Sequence, residues 1–175
     1  FAPAFKDVDM EELLEITDHI VFNSERQLRK HGPRCRDAGI SVGLRLNPQC
    51  STQGDHALYD PCAPGSRFGV TIDKIPSDLL DLVDGLHFHT LCEQGADDLE
   101  TTLKAVEAQF GPYLHEVKWL NMGGGHHITR EDYDVDLLIS EIKRIRETYN
   151  LEVYIEPGEA IALNAGYLAT EVLDI

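Results

Sequence analysis

Three groups of residues in this chain have types and spacings suited to chemistry. His87 and His89 stand two apart in Leu86-His87-Phe88-His89. On a strand, residues two apart point to the same face, so both imidazoles face one side while Leu86 and Phe88 face the other. Gly123-Gly124-Gly125 follows the apolar run that ends at Met122. Successive glycine N–H groups at a strand end form a concave anion site that holds a phosphate without a basic side chain. Glu156, fixed by Pro157 and followed by Gly158, closes another apolar run with a carboxylate. Beside a heteroaromatic nitrogen, such a carboxylate raises the nitrogen's pKa and keeps the ring protonated.

Each group also has a plainer reading. The two histidines are equally compatible with satisfied core positions, and the glycines with a tight turn. A metal reading is open too, because His-x-His at a strand end is one way a barrel hydrolase holds zinc. Such a site needs further ligands on other strands, where only His126, His127 and Glu156 offer themselves. Taken together, a stacking imidazole, a glycine phosphate cradle and a carboxylate for a ring nitrogen fit another chemistry better. They meet the needs of a pyridoxal decarboxylase, in which a protonated pyridine withdraws the electrons released with carbon dioxide.

The elements that must position these groups alternate along the chain. His19-Ile20-Val21-Phe22 reads as a strand, and Ser24 followed by Glu25 starts a helix through Ala38 that Gly32-Pro33 should break or kink. Ser41 to Pro48 reads as a strand, and residues 49–68, rich in Gly, Pro and polar side chains, as a long loop of the kind that is usually functional. A helix over about Pro76 to Leu82, a strand Gly85 to Thr90 and a helix over about Asp97 to Phe110 follow. Then come a strand Val117 to Met122, an amphipathic helix Tyr133 to Tyr149 and a strand Leu151 to Ile155.

Five strands with helices between them imply a parallel sheet with right-handed crossovers, either a barrel or an open doubly wound sheet. Asn47, His89, the three glycines and Glu156 all fall at strand C-terminal ends, where a (β/α)8 TIM-type barrel collects its active site. The fold expected is therefore an incomplete α/β barrel over residues 1–160. Residues 161–175, with Tyr167, Ala169, Glu171 and Leu173 in loose alternation, read as a strand leaving it for a C-terminal β domain outside this chain.

Bulk properties narrow the partners. The chain has 175 residues, 42% of them hydrophobic, with a formal net charge of −16, which disfavours nucleic acid and favours small cations. No apolar run approaches a membrane span and no secretory signal is present, so no membrane partner and a cytoplasmic location are expected. Cys35, Cys50, Cys62 and Cys92 lack zinc-site spacing and read as free thiols. The chain starts without Met and reads as a piece of a longer enzyme.

Gly43-Leu44-Arg45-Leu46-Asn47-Pro48, Tyr59-Asp60-Pro61-Cys62, Ser66-Arg67-Phe68-Gly69, Leu86-His87-Phe88-His89-Thr90-Leu91-Cys92-Glu93, Asn121-Met122-Gly123-Gly124-Gly125-His126-His127 and Glu156-Pro157-Gly158-Glu159-Ala160 together resemble the carboxynorspermidine (carboxyspermidine) decarboxylases. These are alanine-racemase-like pyridoxal-phosphate enzymes, related to the ornithine, arginine and diaminopimelate decarboxylases. The resemblance spans nearly the whole chain. It implies polyamine biosynthesis, pyridoxal 5'-phosphate as cofactor, a polyamine substrate, and a homodimer with active sites at the subunit interface.

By position, the resemblance implies that His89 stacks on the pyridine ring as the catalytic imidazole and Glu156 pairs with its nitrogen. Gly123, Gly124, Gly125 and Gly158 would hold the phosphate, with Cys92 near it where ornithine decarboxylase has serine. Arg45 would order the cofactor's surroundings. At Glu159 this sequence departs from the ornithine decarboxylase pattern, which has an arginine there. A carboxylate there, with Glu93, would instead face the cationic substrate, and the 49–66 loop, with Asp55, Tyr59 and Asp60, would cover the site. The family's cofactor lysine would precede Phe1 and its interface cysteine would follow residue 175. Lys6, Lys30, Lys74, Lys104, Lys118 and Lys143 fall in predicted helices, turns or strand starts, so this piece alone is expected to be inactive. A metal-dependent barrel hydrolase and a non-catalytic pyridoxal-phosphate-binding relative are the two rivals to the decarboxylase.

Overall fold

A computed structural model describes residues 1–54, 60–172 and 174. Five strands, β1 (His19–Phe22), β2 (Ser41–Arg45), β3 (Gly85–His87), β4 (Trp119–Asn121) and β5 (Glu152–Tyr154), form one sheet. They pair in parallel in the order in which they occur in the chain. Helices α1 (Met10–Ile16), α2 (Glu25–Asp37), α3 (Leu79–Leu82), α4 (Ala96–Leu114), α5 (Val135–Tyr149) and α6 (Gly158–Ala162) complete the chain. A doubly wound sheet reverses its strand order at a switch point. The unreversed order here is an arc of a barrel, as expected.

The two faces of the arc differ completely. Ile20, Phe22, Val42, Leu44, Leu86, Leu120 and Met122 point outward and are buried in one core with Leu28, Leu79, Leu99, Leu103, Val106, Phe110, Leu138 and Ile145 of the covering helices. The other face carries Gly43, Arg45, Gly85, His87, Trp119 and Asn121, brought side by side by the register Arg45↔His87↔Asn121 one rung above Gly43↔Gly85↔Trp119. Trp119 fills the lower rung. A Cβ on Gly85 would come within 2.0 Å of its ring, and one on Gly43 within 2.3 Å. Its Nε1 donates to Ser41 Oγ at 2.8 Å, which holds the indole across the floor of the arc.

Several boundaries differ from the sequence expectation. Helix α2 runs through Pro33 without interruption. Gly32 faces the sheet, where a Cβ would meet Val42 Cγ1 of β2 at 3.9 Å and Leu28 Cδ1 of its own helix at 3.2 Å. The strands are shorter than their apolar runs, because Leu46, Phe88 and Met122 stay buried after ladder pairing has ended. Helix α1 has no counterpart in the sequence reading. In the stretch expected to leave the barrel, Ile161 and Ala162 belong to α6, which starts after Pro157, and residues 163–172 pair with no described strand. Tyr167 and Leu168 are fully exposed, and alternation without a partner strand to receive it makes no ladder. Leu173 lies outside the described residues.

Candidate active site

The polar face of the arc places its functional groups at the C-terminal strand ends. His87 ends β3 with its side chain completely buried, and His89 follows in the same orientation. Glu156 leaves β5 beside them, its Oε1 accepting from Asn121 Nδ2 at 2.9 Å and its Oε2 lying 3.6 Å from His87 Nε2. The His87 contact and then the Asn121 hydrogen bond hold Glu156 down at about 2 despite partial burial, so the carboxylate is ionised at neutral pH. Burial acts oppositely on the imidazoles: it lowers His89 to about 4, helped by the Arg45 charge, and lowers His87 and His126 as well. The strand ends of β3 and β5 therefore present neutral rings beside an ionised carboxylate.

Arg45, at the end of β2, is buried among these groups. Its Nη2 donates to the His89 carbonyl at 2.8 Å, and its guanidinium lies 4.7 Å from the Phe1 ring centre and 4.8 Å from that of Phe68. Burial lowers it to about 10, which leaves it charged. The Phe1 ring is also stacked on His87, at 5.2 Å and 13° between planes. A flat ring thus fits between Arg45 and His87.

The glycine run is shaped by β3. Gly123 (φ 69°) and Gly125 (φ 82°) both adopt left-handed backbone, and a Cβ would strike Phe88 O at 2.4 Å from the first and Leu91 O at 2.0 Å from the second. At Gly124 a Cβ would meet Glu156 O at 2.6 Å. Not all the expected phosphate donors are free. Gly123 N donates to Asn121 Oδ1 at 2.8 Å, Gly124 N to His89 Nδ1 at 3.4 Å, and Gly158 N to Glu156 O at 2.8 Å.

Arg45, His89, Cys92, Glu93, Gly125 and Glu159 line one pocket of about 450 Å³, with Phe1, Pro61, Phe68 and Leu91. Glu156 lines a neighbouring pocket of about 150 Å³ with Phe1, Asn121, Trp119 and Tyr154. The structure thus brings Glu93 and Glu159 to the same wall. Burial and both of these charges raise the Cys92 thiol, keeping it protonated. Gly158 is exposed at the start of α6 and lines neither pocket.

Two groups beside Glu156, Asn121 and His87, were assigned no role from the sequence. Asn121 is inward by parity with Gly123, and that spacing was the available signal; His87 was noticed only as a neighbour of His89. The long loop is bonded to the strand ends: Gln53 Nε2 donates to Thr90 O at 2.8 Å, and Asn47 Nδ2 to Phe68 O at 2.9 Å. Pro61 and Phe68 of this region reach the larger pocket. Asp60 Oδ1 accepts from Cys62 N at 2.8 Å within its own turn, while Asp55 and Tyr59 lie outside the described residues.

His87, His89 and Glu156 bring one ligand atom each within 4.8 Å of one another, the arrangement a metal site would use. The Arg45 charge, which lowers both imidazoles, opposes a divalent cation at that point.

The buried neutral histidines carry a pH prediction. For a histidine whose folded pKa lies below its unfolded value, the unfolded chain binds more protons in between, so stability is full above about 6.5 and is lost as pH falls towards the folded value. His89 loses this between about 6.5 and 4, with His31, His87 and His126 shifting in the same direction. Glu156 does not interfere, because its contribution is lost only between the ordinary carboxylate value of 4.5 and about 2. Thermal melts at pH 7 and pH 5 should differ by roughly 5–10 °C, with the lower Tm at pH 5. Equal melts would mean that the imidazoles are not buried as described.

The chain aligns along its whole length with known decarboxylases. It is 41% identical over 175 residues to a carboxynorspermidine/carboxyspermidine decarboxylase of Campylobacter jejuni, covering 100% of this chain and 45% of the relative. It is 37% identical over 177 residues to a carboxyaminopropylagmatine decarboxylase of Synechocystis, covering 100% of this chain and again 45% of the relative. The chain thus spans under half the length of these curated relatives. Among solved structures, carboxynorspermidine decarboxylase from Campylobacter jejuni, crystallised with norspermidine, superposes with a TM-score of 0.82 at 40% identity, over 91% of this chain and 40% of that one. A diaminopimelate decarboxylase shares the fold at a TM-score of 0.67 and 20% identity, over 91% of this chain and 41% of that one. No family model matches the chain. The resemblance seen in the motifs, and the partial barrel, are both supported by these relatives.

Proposed function

We propose, from its similarity over its full length to carboxynorspermidine/carboxyspermidine decarboxylases, that this chain forms the cofactor- and substrate-binding wall of an enzyme that decarboxylates carboxynorspermidine, carboxyspermidine or both. The observation that carries this is the convergence of the matched motifs at one barrel mouth: Arg45, His89, Cys92, Glu93, Gly125 and Glu159 in one pocket, with Glu156 adjoining. The metal-hydrolase reading has no support among the relatives, which are decarboxylases.

The residues fit pyridoxal 5'-phosphate. Glu156 is an ionised acceptor for a ring N–H, His89 offers a neutral flat face, and the space beside Arg45 already accepts an aromatic ring. Bound there, the cofactor supplies a protonated pyridine that withdraws the electron pair left behind by carbon dioxide. The chain's own part is to hold and orient. Glu156 keeps a proton on the ring nitrogen, and His89, backed by Gly124 N on its Nδ1, limits the tilt of the ring. Gly125 approaches the phosphate with backbone alone, beside Gly124, whose N–H is engaged with His89 Nδ1. Gly123 and Gly158 act differently, since their N–H groups already serve Asn121 Oδ1 and Glu156 O and so fix the shape of the two loops.

Glu93 and Glu159 face the substrate's cationic tail, and Cys92, protonated between them, is a small neutral spacer. Replacing Glu159 by Gln should raise KM for the polyamine about three- to tenfold, the worth of one partly exposed charge pair. The dissociation constant for pyridoxal 5'-phosphate should hold within twofold. Equal effects on both would remove Glu159 from substrate recognition.

The wider reading includes a homodimer, a cytoplasmic enzyme, and a β domain beyond residue 160 whose approach begins in residues 161–175. Among the described residues no helix is long and apolar enough to cross a membrane. The deciding experiment uses the longest protein that contains this chain. Its absorbance is recorded with and without borohydride, and carbon dioxide release is assayed from both carboxylated triamines. A reducible near-visible band with carbon dioxide release supports the decarboxylase. A band without release would point to a non-catalytic cofactor-binding relative, and stoichiometric zinc without a band would favour the hydrolase.

A further inference from the structure

We infer that His87 is a positioning residue, a buried imidazole that fixes the direction in which the Glu156 carboxylate points. The inference rests on the proposed pairing of Glu156 with a pyridine nitrogen, and it assigns His87 a task that the sequence motif leaves blank. His87 has no exposed surface, and neither of its ring nitrogens has a hydrogen-bond partner among the described residues. Buried polar atoms are almost always satisfied, because an orphaned donor or acceptor carries the full cost of its lost hydration. A purely structural residue at this point would better be leucine. The imidazole instead directs Nε2 at Glu156 Oε2, 3.6 Å away and just beyond hydrogen-bond reach.

The geometry around the pair leaves only one of the two free to adjust. His87 is the last residue of β3, in register with Arg45 on one side and Asn121 on the other, and the Phe1 ring covers one of its faces. Glu156 lies past the end of β5 on a partly exposed side chain. Asn121 grips Oε1, so a small rotation of the carboxylate about that bond brings Oε2 onto Nε2–H. With both oxygens held from below, their outer lone pairs face the barrel mouth, where the ring nitrogen would arrive. The neutral state imposed by burial suits this role, since Nε2–H donates a hydrogen bond without drawing the negative charge away from the ring.

The test compares His87→Leu, His87→Gln and Glu156→Gln in the holoenzyme. The measurements are the dissociation constant for pyridoxal 5'-phosphate, the pH titration of the bound cofactor's absorbance, and Tm. His87→Leu should bind the cofactor about tenfold more weakly, with a displaced absorbance titration, while Tm holds or rises because two orphaned nitrogens are gone. His87→Gln, which places an N–H at nearly the same point, should recover to within threefold. If His87→Leu binds like the parent, or His87→Gln is as weak as His87→Leu, the positioning role is wrong. Glu156→Gln separates this from the underlying function: an unchanged affinity and titration in that variant would overturn the ring-nitrogen pairing itself.

Discussion

Glu156→Gln is expected to cut kcat by about 10²- to 10³-fold while leaving the protein folded. Removing one preorganised charge aimed at a developing charge has that size of effect. Glutamine keeps the shape and can still meet Asn121, so the loss would be electrostatic. The carboxylate is ionised far below its ordinary range because His87 and Asn121 both favour the anion, and an amide at the same point cannot hold a proton on a basic ring nitrogen. The loss should fall on kcat more than on KM for the polyamine, because the charge acts on the reacting ring and not on the cationic tail. Steady-state kinetics with circular dichroism as a folding control would check it, and a variant with kcat within threefold of the parent would end the assignment.

Gly85→Ala should be strongly destabilising, costing about 2–4 kcal/mol, or roughly 6–15 °C in Tm. The added carbon would lie 2.0 Å from Trp119 Cδ2, at the fused centre of the indole rather than at a flexible tip. The ring has little freedom to move, since Nε1 is bonded to Ser41 and its edges meet His19 and Tyr154 at centroid distances of 5.5 and 6.2 Å. Trp119→Leu in the Gly85→Ala background should recover part of the loss by clearing the space. Chemical denaturation of the single and double variants measures this coupling, and purely additive losses would show that the two residues do not share the floor.

Much of this architecture was legible beforehand, for a physical reason. Period-two alternation in Leu86-His87-Phe88-His89 assigns sides, and the apolar runs between turn signals locate all five strands. The unread parts depend on partners distant in sequence. Nothing local pairs Gly43 and Gly85 with Trp119, because register is set by the assembled sheet. Nothing local ties Asn121 to Glu156 either, whose Oε1 accepts from Asn121 Nδ2 at 2.9 Å. The engagement of Gly123 and Gly158 N–H groups inside the loops was likewise invisible, because a glycine run shows permissiveness but not where its hydrogen bonds go. Tyr167 to Glu171 alternate as well, but α6 takes residues before them and no described strand meets them.

The division of labour between the two faces of the sheet has a consequence for how such a barrel diversifies. Along β2 and β3, neighbouring codons serve different faces: Val42, Leu44, Leu86 and Phe88 the hydrophobic core, and Arg45, His87 and His89 the polar site proposed above. Positions at the mouth can therefore vary without touching the hydrophobic shell, while Gly43 and Gly85 on the same face stay tied to Trp119. A deep mutational scan should show this as a comb, with tolerance under a stability screen and tolerance under an activity screen peaking at opposite parity.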